Sequence, residues 1–243
     1  CKNRQPFNPR FLNKIMERNY KYQMKPLFEE RMRTLMPNEN DFAQFEKIIH
    51  AQPRNFIRCN TLKISPDELI SKLEKKWKVE QPFQNYPETI LINQDLLPGE
   101  LGNSLEHFLG YYYVQEISSM MSALALDPQP NELILDLCAS PGSKTTQIAA
   151  KMQNTGTIIA NDFKIQRIKI LSSNLEKCGV TNAIITRLDA ITLCAKLAKE
   201  RIKFDRILLD VPCSGEGILR QGKNPYYRTA GRQRAGRTQG NGA

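Results

Sequence analysis

The sequence of 243 residues lacks a long uninterrupted apolar run, and no stretch approaches the roughly 18 residues that a membrane-spanning helix needs. It also lacks Cys-x-x-Cys pairs, because six cysteines are scattered through the chain beside only two histidines. That pattern argues against a zinc site and against a disulfide framework, and it suits a reducing compartment. The sequence therefore predicts a cytoplasmic protein that holds no metal and has no membrane association.

Acidic residues are outnumbered by basic ones. The chain has 35 Lys and Arg against 25 Asp and Glu, which gives a formal charge of +10 and a pI near 9.3. A basic surface favours a polyanion such as RNA as the partner, although a generally basic proteome gives the same balance. We expect a monomeric chain with RNA as its partner.

Composition divides the chain into four segments. Residues 1–53 show helical periodicity, and residues 54–107 combine short β-type runs with one capped helix, as in a small α+β module. Residues 220–243 contain no acid and no Leu, Ile or Val, so we expect a basic, disordered tail. The remaining residues, 108–219, are the candidate for a larger α/β domain.

A strand–helix rhythm runs through this larger segment. Such alternation, joined by right-handed crossovers, predicts a parallel, doubly wound sheet. Residues 207–209 are apolar throughout, as in a central strand, and the tail offers no strand to cover them. We therefore expect a sheet that is incomplete at its C-terminal side. The expected strands lie near residues 133–137, 157–161, 183–187 and 206–210, and the expected helices near 143–152, 164–177 and 190–201.

The first strand–helix junction is the most informative stretch. In residues 132–146, ELILDLCASPGSKTT, an apolar run ends at Asp136, a short loop contains Gly142, and a helix-like segment follows. A dinucleotide-binding loop needs three glycines, and a P-loop needs Gly directly before Lys, whereas Ser143 separates Gly142 from Lys144. The junction predicts a nucleotide or nucleoside pocket that takes neither NAD nor ATP.

Carboxylates recur where the predicted strands end. One such aspartate is usually only a helix cap, whereas four at the same edge of a sheet favour a ligand site. Beside the last of them, residues 204–217 (FDRILLDVPCSGEG) place Cys213 in a small-residue loop, where a thiolate can act as a nucleophile. The four carboxylates are Asp136, Asp162, Asp189 and Asp210.

With these motifs in place, the chain resembles the Nop/Sun family of S-adenosylmethionine-dependent RNA cytosine-5 methyltransferases. The segment DLCASPGSKTT at residues 136–146 is similar to the family's cofactor loop, and DVPCSGEG at 210–217 is similar to its fourth motif. Upstream, IRCNTLK at 57–63 and the segment 113–130 resemble the family's RNA-binding and lead-in segments. The likeness covers residues 10–219 and is strongest to archaeal members that act on transfer RNA.

The resemblance implies a Rossmann-like (class I) methyltransferase fold, S-adenosyl-L-methionine as cofactor, and tRNA or rRNA as substrate. By position, the loop would wrap the methionine part of the cofactor, Asp162 would bind the ribose hydroxyls, and Asp189 would bind the adenine amino group. Asp210 would face the methyl donor and the target base, and with Lys144 and Cys213 it forms the implied catalytic set. The loop residues are Cys138, Ala139, Ser140, Pro141, Gly142, Ser143 and Lys144.

The chain departs from the family pattern at the nucleophile. Family members use a later Thr-Cys-Ser motif, which is absent from this sequence, while the cysteine matching Cys213 mainly helps to release the product. We therefore expect little or no turnover from this chain. Ser140 and Ser143 also replace the usual Ala and Gly, and Ser143 would weaken cofactor binding if its position required a positive φ.

Two alternative functions stay open at this point. The first is a non-catalytic RNA-binding protein that keeps the methyltransferase fold as a scaffold, in which case RNA binds without cofactor affinity. The second is a DNA cytosine-5 methyltransferase with Cys213 as its nucleophile, which a trapped DNA adduct would reveal.

Overall fold

The computed structural model describes residues 22–51, 54–211 and 227–229. These residues fall into two compact units, and each is described by itself. The first comprises residues 22–51 with 227–229, and the second comprises residues 54–211. Among the helices in the described ranges, none is both long enough and apolar enough to cross a bilayer.

The first unit is small and mainly helical. The Asn38 side chain accepts a hydrogen bond from the Asn40 N–H and so caps its second helix. Phe28 and Ile49 are buried between its two helices. Its elements are β1 (Tyr22–Met24), α1 (Pro26–Leu35), α2 (Glu39–His50) and β10 (Tyr227–Thr229), with β10 antiparallel to β1.

Strand β10 lies inside the segment 220–243 that the sequence predicted to be disordered. That prediction depended on low hydrophobicity and like charge, which carry no information on backbone pairing with a strand distant in sequence. Here Met24 pairs with Tyr227 and Tyr22 with Thr229. The rest of the predicted tail lies outside the described residues.

The second unit begins with an antiparallel sheet in the order β3-β4-β2-β5. The predicted capping box is present: the Glu68 N–H donates to the Ser65 hydroxyl, and the Ser65 N–H donates to the Glu68 carboxylate. Because β5 pairs with β2, this sheet extends beyond residue 107, where the sequence placed a boundary. The elements are β2 (Asn55–Cys59), α3 (Pro66–Leu73), β3 (Val79–Glu80), β4 (Thr89–Ile92), α4 (Leu105–Phe108) and β5 (Tyr112–Val114).

The same unit continues into a parallel sheet in the order β8-β7-β6-β9. This order and the alternating helices confirm the predicted Rossmann-like α/β fold. The elements are α5 (Ile117–Leu126), β6 (Leu133–Asp136), α6 (Ser143–Lys151), β7 (Thr157–Asn161), α7 (Ile165–Cys178), β8 (Ala183–Thr186), α8 (Ala190–Lys199) and β9 (Arg206–Leu208).

The register of the parallel strands decides where a site can form. Asp136 is level with Leu208 on β9, and Asn161 is level with Thr186 on β8. The carboxyl ends therefore meet at one edge, where ligands of doubly wound sheets bind. Ile207 on the outer strand β9 and Leu209 just after it are exposed, and within the described residues β6 is the only partner of this strand.

Candidate functional site

The predicted cofactor loop joins β6 to α6 at this edge. Its Gly142 caps α6 in the left-handed region, with φ of 103°. A Cβ at this position would lie 3.1 Å from Leu171 Cδ1, so glycine suits both the backbone and the space. Ser143, by contrast, is the first residue of α6 and is not among the positive-φ residues. The positive φ considered for Ser143 in the sequence analysis is therefore found at Gly142, which adopts it without strain.

Asp136 ends β6 with its carboxylate almost fully buried. Burial raises its pKa to about 6, although the Thr145 hydroxyl, the Cys138 N–H and the nearby Lys144 charge lower it. Thr145 Oγ1 donates to Asp136 Oδ2 over 2.7 Å, which ties the strand end to the first turn of α6. The nearby Lys144 charge offsets only part of the effect of burial on this pKa. A buried carboxylate with a raised pKa at the edge of the sheet is typical of a functional site.

Side chains of helix α7 hold the loop by binding main-chain carbonyl groups of the loop. Arg167 Nη2 donates to the Ser140 carbonyl at 2.5 Å, and the Ser140 hydroxyl donates to the Arg167 carbonyl at 2.8 Å. Asn174 Nδ2 donates to the Pro141 carbonyl at 2.7 Å. Ser140 thus makes a hydrogen bond that the alanine usual in the family would not make.

Asp162 follows β7 and is buried. Its Oδ1 accepts the Lys164 N–H at 3.1 Å, and its Oδ2 accepts Arg167 Nε at 2.9 Å. A carboxylate offers about four acceptor positions, so about two are left for external donors such as a pair of hydroxyls. The same Arg167 binds both Asp162 and the loop, so the two predicted cofactor contacts are connected.

Asp189 has a different local role. Its Oδ1 accepts the N–H groups of Ile191 and Thr192, so it caps α8, and within the described residues its Oδ2 stays available to a donor. The turn before it is tied to the sheet by Asn161, whose Nδ2 donates to Leu137 O and Leu188 O. The capping role is the simpler explanation that the sequence also allowed for a lone aspartate.

Lys144 and Asp210 meet at the same edge. Lys144 Nζ lies 2.7 Å from Asp210 Oδ2, and it also donates to Ser119 Oγ on α5 at 3.1 Å. The Lys144 side chain is only 15% exposed, whereas that of Asp210 is half-exposed. The pair therefore places a fixed positive charge and an accessible carboxylate side by side.

The loop thiol lies among these groups. Burial raises the pKa of Cys138, and the charges of Asp162, Asp136 and Asp210 raise it further. Three of the four predicted carboxylates therefore act on the Cys138 thiol. Cys213 lies outside the described residues.

Sequence reasoning missed several residues that build this edge. Arg167, Asn161 and Asn174 fix the loop and the turn through side-chain bonds to main-chain carbonyls. A signal existed only for Asn161, a polar residue that ends the apolar strand β7. Among the described residues, no group of three or more His, Cys, Asp or Glu side chains is placed to hold a metal ion.

Comparison with known proteins adds an independent finding. Residues 123–234 match the sequence profile described as 16S rRNA methyltransferase RsmB/F, and residues 24–117 match the N-terminal domain of 16S rRNA methyltransferase RsmF. The chain belongs to the RsmB/F family. This is the Nop/Sun family of S-adenosylmethionine-dependent RNA cytosine-5 methyltransferases that the motifs resemble.

One curated relative is the ribosomal RNA small subunit methyltransferase F of Vibrio campbellii, 40% identical over 198 residues. The match covers 80% of this chain and 40% of that protein, so the chain spans about two fifths of the relative's length. Its name points to ribosomal RNA, whereas the motif likeness had favoured archaeal members that act on transfer RNA.

Two solved structures share the fold. The structure of PH0851 superposes with a TM-score of 0.71 and 28% identity, covering 90% of this chain and 47% of that one. NSun6 from Pyrococcus horikoshii, solved with SFG, has a TM-score of 0.66 and 23% identity, covering 76% and 70%. At that identity the NSun6 likeness shows the fold alone.

Proposed function

We propose that this chain provides the N-terminal module and the cofactor-binding sheet of an RNA (cytosine-5)-methyltransferase, with small-subunit ribosomal RNA as the substrate. The observation that supports this most directly is the sheet edge where the 138–144 loop, Asp162 and the Lys144–Asp210 pair are joined by hydrogen bonds. Family membership and the ribosomal names of the relatives support the substrate class. A cytoplasmic, monomeric and metal-free protein remains part of the proposal.

The hydrogen-bonding groups at this edge suit S-adenosylmethionine. Asp162 has acceptor capacity for the two ribose hydroxyls, and Asp189 Oδ2 can accept from the adenine amino group. The N-terminus of α6 presents N–H groups without partners inside the helix, and these favour the carboxylate of the methionine part. When bound, the cofactor supplies an electrophilic methyl group.

Lys144 and Asp210 act on the target base in this proposal. A thiolate that adds to C6 of cytosine pushes an electron pair toward C5, and the fixed Lys144 ammonium stabilises the negative charge that develops on the ring. Asp210 can accept a hydrogen bond from the exocyclic amino group of the base. The base must leave its stack to reach this edge, so single-stranded or loop RNA is the expected target.

Calorimetric titration with S-adenosylhomocysteine tests the cofactor site. We expect Asp162→Ala to weaken binding about 100-fold, because hydrogen bonds to a charged group are lost at two positions. Glu106→Gln is the matched control, since Glu106 is a buried carboxylate of α4, beside the small sheet, and is paired with Lys76. Equal affinity of wild type and Asp162→Ala would remove Asp162 from the site.

Substrate transfer is tested separately with labelled S-adenosylmethionine and small-subunit ribosomal RNA. Because the family's Thr-Cys-Ser motif is absent from this sequence, we expect little or no transfer from this chain. Transfer to cytosine C5 would overturn that expectation, and its loss in Asp210→Asn would then support the role of the ion pair. RNA binding without any cofactor affinity would identify the non-catalytic scaffold instead. An adduct with 5-fluorocytosine DNA, absent in Cys213→Ala, would identify the DNA enzyme.

A further inference from the structure

Arg58 on β2 is a buried cation in the small sheet. Its side chain is among the largest that are fully buried, with 2% of the residue exposed. Its acceptors within the described part of the chain are all uncharged: Gln115 Oε1 at 2.5 Å, Ser143 O at 2.7 Å, Thr146 Oγ1 at 2.8 Å and Gln147 Oε1 at 3.4 Å. Its Nε has no partner among the described residues. Buried charges without an opposite charge are rare, because desolvation is costly.

The Arg58 contacts end in the first turns of α6, directly after the cofactor loop. The guanidinium binds the carbonyl of Ser143 and the hydroxyl of Thr146, and that hydroxyl also donates to Ser143 O at 3.0 Å. A cation beside the N-terminus of a helix is electrostatically unfavourable for the helix itself. The hydrogen bonds of Arg58 therefore have to offset this repulsion, and its charge strengthens the positive field at the loop.

A second path leads from Arg58 to the ion pair. Gln115 accepts from Arg58 and donates through Nε2 to Ser119 Oγ at 3.3 Å. Ser119 Oγ in turn accepts Lys144 Nζ at 3.1 Å, and Lys144 pairs with Asp210. A continuous chain of polar contacts thus joins β2 to the proposed catalytic groups.

The residues after Arg58 hold the other helix that supports the loop. Asn60 Nδ2 donates to Cys178 O at 2.8 Å, and Lys63 Nζ donates to Lys177 O at 2.7 Å, so both bind the C-terminal carbonyls of α7. Gly110 allows this approach, because a Cβ there would lie 2.1 Å from Lys177 O. The 57–63 segment therefore contacts both α6 and α7.

These contacts conflict with the RNA-binding role that the resemblance implied for residues 57–63. Arg58 and Asn60 are buried, and the Lys63 ammonium is engaged by two main-chain carbonyls. At Arg58 and Asn60, an RNA phosphate would have to displace existing hydrogen bonds. Burial also lowers the pKa of Arg58 to about 10, and a lysine in its place would lose the fork that binds several acceptors at once.

We propose that Arg58 is a positioning residue for the 138–144 loop, and that the 57–63 segment fixes the cofactor site rather than contacting RNA. The inference rests on the proposed function, since it concerns the same loop. Its physical basis is that one rigid, planar guanidinium donates hydrogen bonds to Ser143 O, Thr146 Oγ1 and Gln115 Oε1 at once.

The test uses the full chain with Arg58→Lys and Thr146→Val, and with Glu106→Gln as control. Glu106→Gln perturbs the same small sheet without touching α6. Calorimetry compares S-adenosylhomocysteine with methylthioadenosine, which lacks the amino-acid part that the loop is proposed to wrap. We expect Arg58→Lys and Thr146→Val each to weaken S-adenosylhomocysteine about tenfold. We expect methylthioadenosine affinity to stay within about twofold.

Hydrogen exchange gives a readout that needs no ligand. We expect Arg58→Lys to speed exchange about tenfold in a peptide covering residues 137–150, with little change in one covering 79–92. Affinity of both variants for a single-stranded RNA should equal that of wild type. If wild type binds neither nucleoside, the proposed function fails, whereas the exchange rates still decide the role of Arg58.

Several results would overturn the positioning role. Unchanged exchange in residues 137–150 would do so, as would equal losses for both nucleosides, which indicate a general loss of structure. A tenfold loss of RNA affinity in Arg58→Lys, with cofactor affinity retained, would return the 57–63 segment to RNA binding. Thr146→Val keeps the test decisive if Arg58→Lys does not fold.

Discussion

Two buried carboxylates of the 54–211 unit, one beside the antiparallel sheet and one in the parallel sheet, are compensated in opposite ways. On α4, beside the antiparallel sheet, Glu106 is paired with Lys76 Nζ at 2.7 Å, and although burial opposes it, this bond holds the pKa of Glu106 below its ordinary value. In the parallel sheet, Asp136 is bonded to neutral groups, and burial raises its pKa to about 6. A paired carboxylate supports the fold, whereas one left poorly compensated at a sheet edge indicates a site.

Two cations of this unit show a contrast as well. Lys76, which follows α3 and has a side chain that is 43% exposed, is matched by a carboxylate, but Arg58 on β2 is buried and is matched only by neutral acceptors that belong mostly to the neighbouring segments. The antiparallel sheet with its helices therefore holds an ion pair of its own and contributes Arg58 to the parallel sheet. Four predictions test this division, from the largest expected effect to the smallest.

Core truncations should have equal effects in the two sheets. Ile57 and Ile134 are fully buried in separate clusters, and Ile→Ala at either position is expected to cost about 2–5 kcal/mol of unfolding free energy. Because residues 54–211 form one compact unit, both substitutions should shift the same urea-unfolding transition. Two separated transitions, each shifted by only one of the two substitutions, would show that the sheets unfold independently.

The two carboxylates should give opposite pH dependence. The raised pKa of Asp136 means that the folded chain binds its proton more tightly than the unfolded chain, so this group's stabilisation is lost as pH rises from about 4 to about 6. Asp136→Asn removes this titration, and its unfolding free energy relative to wild type should increase by about 3 kcal/mol across that window.

Glu106 supplies the control for the sign. Its lowered pKa means that the stabilisation by this group is lost as pH falls below the ordinary range near 4. The unfolding free energy of Glu106→Gln relative to wild type should therefore decrease as pH rises through that range. Urea titrations at pH 3 to 7 measure both slopes. Slopes of the same sign for the two variants would contradict the comparison.

Gly142→Ala should destabilise the loop by about 1–3 kcal/mol, because alanine is strained at φ of 103° and its Cβ would crowd Leu171. Thermal unfolding measures the loss, and cofactor titration shows whether the loop is displaced. Gly102→Ala, at a turn of the small sheet without a positive φ, is the matched control and should be nearly neutral. Equal stability of the two variants would contradict a special backbone requirement at residue 142.

Ser143→Gly should have the smallest effect. It restores the residue usual in the family, but Ser143 lies within the first turn of α6, so glycine is expected to cost less than about 1 kcal/mol of stability. S-adenosylhomocysteine affinity should stay within about twofold of wild type. A large gain in affinity would revive the idea that the serine side chain obstructs the site.

The parallel sheet could be predicted because local patterns specify it. Four apolar runs ending near aspartates, separated by helical periodicity, are visible without any tertiary information and indicate a parallel sheet, whereas the order β8-β7-β6-β9 is known only from the structure. The capping box at Ser65 is equally local. The residues that hold the loop could not be predicted, since Arg167 and Asn174 look like ordinary surface positions of an amphipathic helix.

The sequence by itself determined the family, the α/β fold and the loop that joins β6 to α6, because these depend on short-range periodicity and contiguous motifs. Only the tertiary structure decided that Arg58 is buried against α6 and that Asp162 shares Arg167 with the loop. Burial and hydrogen bonding between distant segments determine what a charged side chain does, and neither property is encoded in its immediate neighbours.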